Sequence, residues 1–182
     1  MPPVTPPALQ PEHALFLRDV IAVPSLKIEH GVTRRVIEAI PPDKGDYRPD
    51  EISKSAVDLA WHIVAAEHRF MDAVVTGRFD IGNTGRPETL TTTADVSRWY
   101  AGVFEDDLRR VGALPAEQLT NPIDFRGIIT LPAVTFLMIG LKHSIHHRGQ
   151  LSMYLRPMGA KVPSIYGESY DATQARLAAQ AH

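Results

Sequence analysis

Cysteine is absent from all 182 residues, which excludes disulfides, thiolate catalysis and cysteine-ligated zinc or iron–sulfur sites. Any bound metal must therefore be held by histidine or carboxylate. No excess of one charge is present either. Nineteen Lys and Arg face 21 Asp and Glu, a formal net charge of −2, and without a basic stripe no nucleic-acid partner is expected. No apolar run approaches the roughly 18–20 residues that span a bilayer. No phosphate-cradling Gly-rich loop or dinucleotide fingerprint follows a strand, so no nucleotide cofactor is expected. A Gly-x-Ser-x-Gly elbow is also missing, which removes the usual sign of a serine hydrolase. The opening MPPVTPPALQPEH lacks both the basic start and the apolar stretch of a secretion signal, so the expected location is the cytoplasm.

What is present reads as helix. Residues 1–11 carry five prolines and form a lead-in rather than a folded element. A first helix is expected over 12–40, with Pro24 as its kink or break, ending at Pro41-Pro42. Asp50 or Ser53 can cap a second helix over 52–76, closed by Gly77. A long loop over 77–93 precedes a third helix capped near Thr93-Ala94-Asp95 and ending at Val111. The stretch 113–130 reads as a second long connection, in which 128–131 is too short for a strand. A fourth helix starts near Leu131, with Pro132 at its first position, and runs to Arg156. From Ala160 onward the pattern is mixed. The expected fold is all-α, an antiparallel four-helix bundle over 12–167 with a tail over 168–182.

Histidine carries the chemical signal. At about 100° per residue, His143 and His147 lie roughly 40° apart on the fourth helix, beside Phe136 and Tyr154. His146 falls on a polar edge. On the second helix His62 sits next to the apolar arc of Leu59, Ile63, Ala66 and Phe70, whereas His68 falls on the polar flank and is expected to face water. An i, i+4 pair on one helix and a third histidine on a facing helix make a three-point metal site. Neutral imidazoles suit Zn, Ni, Cu or Fe, and three ligands leave room for water. The rival reading is a hydrogen-bonded core cluster without metal.

Glu67 and Arg148 lie on apolar arcs. Charges there are seldom buried alone, so they are expected to pair with each other, or with nearby polar groups, as a structural ion pair between the second and fourth helices. The functional alternative makes Glu67 a proton acceptor near a metal-bound water. Tyr154, on the histidine arc, could hydrogen-bond a substrate. Glu29 and His30 could reach the same cavity from the first helix, and Asp124 and Phe125 could roof it or simply anchor their loop.

These residues resemble the DinB/YfiT family of metal-dependent enzymes, a family distinct from the DNA polymerase that shares part of the name. The carriers are HIVAAE from His62 to Glu67, His143-x-x-x-His147-Arg148-Gly149-Gln150-Leu151, and the phrase HHRGQLSMYLRPMGAKVP. TRRVIEAIPPDKGDYRP resembles the family's first helix and its connector. The likeness covers roughly residues 25–165. It implies a bundle with a long crossover connection, often a homodimer, and one divalent ion held by three histidines that map onto His62, His143 and His147. Zinc or nickel is the expected ion, with manganese or iron as alternatives. The implied activity is hydrolysis, or S-transfer from a low-molecular-weight thiol cosubstrate, on a small molecule. The alternatives are a non-catalytic metal-stabilised bundle and a stress protein that binds a small molecule.

Overall fold

A computed structural model describes residues 8–80, 82 and 84–181. The first helix runs on through Pro24, where a kink or break was expected. Helix α1 (Pro11–Phe16) passes through a π-helical stretch (Leu17–Ala22) into α2 (Val23–Glu38). Pro24 has no N–H and cannot complete the usual ladder. The chain widens one turn instead: Val23 N–H donates to the Arg18 carbonyl five residues back, and the Ser25 hydroxyl donates to Ile21 O at 2.6 Å. An inserted π turn relieves the proline without ending the helix.

Helix α3 (Ala56–Thr76) starts later than Asp50 or Ser53 would allow. Its cap is Ser55, whose side chain accepts the Asp58 N–H, and Gly77 closes it at φ 76°. Asp50 caps a local turn instead, accepting from the backbone N–H groups of Ile52 and Ser53. Helix α4 (Thr93–Gly112) opens with a full capping box between Thr92 and Asp95. The connection after it holds a short α5 (Ala116–Thr120) and a small hairpin, β1 (Pro122–Phe125) and β2 (Ile129–Pro132). The strands are antiparallel, with Phe125 opposite Ile129. The long helix α6 (Ala133–Leu155) follows with Pro132 as its cap. The tail is more regular than its mixed pattern suggests: α7 (Tyr170–Gln180) is capped by Ser169 and buries none of its residues.

The bundle is a ring in which α2 and α3 each pack against both α4 and α6. Its centre is apolar and includes Leu26, Ile37, Ile63, Val64, Phe104, Phe136, Leu137 and Leu151. The fold is all-α apart from the hairpin. No helix among the described residues is long and apolar enough to cross a membrane.

The contact between α3 and α6 is the most intimate in the ring. A Cβ on Gly140 would stand 2.7 Å from Phe70 Cβ and 2.9 Å from its Cγ, so only glycine lets the two helices approach so closely. Gly140→Ala is expected to destabilise the protein by about 1–3 kcal/mol through overpacking, despite its gain in helix propensity. Urea unfolding of both proteins checks this.

Candidate metal centre

Helix α3 presents His62, and α6 presents His143 and His147 one turn apart. Each offers one nitrogen, and these atoms all lie within 4.8 Å of one another. His62 Nε2 and His147 Nε2 are 3.2 Å apart. Tetrahedral bonds of about 2.0–2.1 Å to one ion set donor atoms about 3.3 Å apart, so this spacing fits a shared cation. His147 Nδ1 is 2.7 Å from Gln150 Oε1, and the Gln150 amide nitrogen stands 3.3 Å from His146 Nε2. That orientation makes His147 Nδ1–H the donor to Gln150 and leaves the Nε2 lone pair for the cluster.

Protonation does not compete for the other two rings. Burial pushes His62 down to about 4, helped by the charges of His147, Lys54 and Arg69. Burial also takes His143 to about 4, helped by His147, His62 and His146. Both are neutral near pH 7. His143 Nδ1 is buried without a hydrogen-bond partner, so that side of the ring is not committed to the protein. Three converging imidazoles, at least two of them neutral, are a donor set that a divalent ion fits.

Several cavities adjoin the cluster, among them two that between them touch all three rings. One, of about 370 Å³, is lined by His62 and His143 together with Phe70, Phe79, Phe125 and Arg126. The other, of about 510 Å³, is lined by His147, Gln150, Tyr154, Tyr47 and Leu59. Lys54 lines both. Tyr154 packs edge-on against Tyr47, and its hydroxyl donates to the Lys54 carbonyl at 3.4 Å. Phe125 therefore does border a cavity, while Asp124 anchors the hairpin by accepting the Gly127 N–H at 2.9 Å.

Glu67 and Arg148 are both 1 % exposed, but their direct partners are not each other. Arg148 donates to the Glu29 carboxylate and to the Tyr166 hydroxyl at 2.6 Å, which ties α6 to α2. Glu67 accepts from the Tyr100 hydroxyl, which ties α3 to α4. The angular reading placed both residues on inward arcs, yet it held no information on which of several inward polar groups would meet. Arg148 still acts on Glu67 at a distance, lowering its pKa slightly. Burial dominates and raises the Glu67 carboxyl to about 7, against the pull of Tyr100 and Ser144. Glu67 Oε2 and Ser144 Oγ have no well-aligned partner, and a proton on Oε2 would supply one for each. Glu67 does not line the cavity beside His62 and His143.

Neither Glu29 nor His30 joins the cluster. Glu29 is taken by Arg148, and His30 is wedged against Phe104 and Tyr100, with ring centroids 3.8 and 4.2 Å away. His68 does not simply face water: its Nδ1 lies 2.7 Å from a carboxylate oxygen of Asp107, whose side chain is fully buried. That hydrogen bond raises the His68 pKa. Sequence reasoning missed Asp107 because its partner sits on another helix. Gln150 stood in the motif without a role, although a polar residue three positions after His147 shares its side of the helix.

Sequence and structure both resemble known proteins. The sequence model of the DinB family matches residues 22–180. The uncharacterized protein YjoA of Bacillus subtilis strain 168 is 30% identical over 130 residues, covering 70% of this chain and 82% of YjoA. YrdA of the same organism, also uncharacterized, is 28% identical over 113 residues, 60% of this chain and 64% of YrdA. The crystal structure of the DinB-like YjoA superposes with a TM-score of 0.67 at 28% identity, covering 81% of this chain and 99% of that one. A DinB-like protein from Bacillus cereus ATCC 10987 shares the fold, with a TM-score of 0.68, 24% identity, and coverage of 80% and 95%.

The Glu67 carboxyl makes stability depend on pH. Between about 4.5 and 7 the folded chain binds more protons at this site than the unfolded chain does. Its contribution therefore favours the fold below pH 4.5 and is lost as pH rises to 7. Glu67→Gln mimics the neutral acid. Its stability relative to the parent is expected to climb by about 3 kcal/mol between pH 4.5 and 8, read from denaturant unfolding at each pH.

Proposed function

This chain belongs to the DinB family, and from that premise we propose that it is a metal-dependent enzyme binding one divalent ion through His62, His143 and His147. The observation that carries the proposal is a donor set of three. Among the described residues the cluster contains no fourth His, Asp or Glu, and cavities border it on both sides. A closed structural site takes four protein ligands, whereas three leave a position for water or substrate. That openness favours catalysis over a purely structural ion.

A divalent ion here supplies Lewis acidity, lowering the pKa of a bound water or thiol or polarising a carbonyl. Zinc or nickel is the proposed ion on the family likeness, with manganese or iron as alternatives; imidazole ligands accept zinc, nickel and iron alike. The chain's own groups do the rest. Gln150 holds the His147 tautomer, the neutral His62 and His143 keep their lone pairs, and Tyr154 lines the cavity beside His147. The reaction is hydrolysis or S-transfer on a small molecule. With no cysteine in the chain, a thiol nucleophile must come from a low-molecular-weight cosubstrate. Exposed Phe16, Val20 and Ile28 along the first helix suit a homodimer, and the cytoplasm is the proposed compartment.

His147→Ala is expected to abolish stoichiometric metal uptake while keeping the helical circular dichroism signal. Unchanged metal content in that variant would refute the ligand assignment. Gln150→Leu removes the hydrogen bond behind His147, together with the exposed Gln150–His146 contact, and is expected to weaken metal affinity about 10–100-fold, measured by competition with a chelator.

A further inference from the structure

The hairpin between α5 and α6 carries a strained residue. Arg126 has φ 59° and is the one non-glycine residue with positive φ among the described residues; Gly127 follows at φ 70°. Ile128 N–H donates back to the Phe125 carbonyl at 3.0 Å. Two successive positive φ values define a type I′ turn, whose first position favours Asn, Asp or Gly. Arginine there is held against its backbone preference, and such strain gathers at functional sites. The turn brings Arg126 to the wall of the cavity that His62 and His143 line.

That wall is unevenly charged. Lys54, Arg69 and Arg126 line it, against Asp80 as the single acid. Other nearby cations are already engaged: Arg86 and Arg48 both reach Asp58, at 3.0 and 3.9 Å. Among the described residues, the side chains of Lys54 and Arg126 have no carboxylate partner. The same lining is aromatic elsewhere, with Phe79 4.8 Å from Phe125 and 5.5 Å from Phe70 between ring centroids.

We infer that this cavity binds a small organic carboxylate with a flat apolar body, its anionic end held by Arg126 and Lys54 and its body laid on the phenylalanines. The inference rests on the reading of the histidine cluster as the reaction centre, and names the substrate class for it. Arginine meets a carboxylate through paired charge-assisted hydrogen bonds, and a neutral isostere forfeits them.

The test uses benzoate and its neutral isostere benzamide as probes, titrated calorimetrically into metal-free and zinc-loaded protein. Benzoate is expected to bind about tenfold more tightly than benzamide. Arg126→Asn suits the turn better, so its melting temperature is expected to rise while benzoate affinity falls about tenfold and benzamide affinity holds. Lys54→Gln is expected to weaken benzoate alone in the same way. Equal affinity for the two probes, no benzoate binding at millimolar concentration, or undiminished benzoate binding in Arg126→Asn would overturn the inference. Metal content measured on the same samples separates the two readings. Selective benzoate binding by a chain that takes up no metal would sink the metal reading and leave the carboxylate site standing.

Discussion

The close approach of α3 and α6 at Gly140 is the constraint on which the rest depends. Phe70 fills the space a side chain at position 140 would need, so the helices are held in close approach there. From that point to the His62–His147 contact is eight residues along α3 and seven along α6. The two helices therefore run antiparallel in one register. His147 meets His62, and His143, one turn back, meets the same space. A slip of one residue would rotate each ring by about 100° and scatter the cluster.

Two buried polar contacts fasten the other helices to this pair. Arg148 holds α6 to α2 through Glu29, and Glu67 holds α3 to α4 through Tyr100. Neither is a free gain in stability, since desolvating charge costs nearly what the pairing returns. Their value lies in specificity. Leaving either partner buried alone is far worse than keeping both, so alternative packings of the four helices are penalised. The elevated pKa of Glu67 records that cost.

Much of this was legible in the sequence because helices project their periodicity. The angles of His62, His143 and His147 picked out inward faces, and the structure brings those three rings together. What periodicity cannot carry is contact between elements. It did not show that Arg148 would choose Glu29 over Glu67, or that His68 would find a buried Asp107. Local chemistry accounts for the other differences. Pro24 reads as a break until a π turn absorbs it. The hairpin rests on a type I′ turn at Arg126-Gly127, an uncommon pair for that geometry. Helix α7 buries no residue, so its sequence carries little amphipathic signal to find.

The fold leaves the chemistry open, because a four-helix bundle serves many functions and the site decides among them. Here the site is three imidazoles, one oriented by an amide, between an aromatic and cationic cavity and a second lined by tyrosines. The most direct test is X-ray absorption at the metal K-edge of protein loaded with one equivalent of zinc. The account predicts imidazole scattering from three nitrogen ligands at about 2.0–2.1 Å, with a light solvent atom completing the shell. A shell of four protein ligands, or one made of oxygen alone, would contradict an open three-histidine centre.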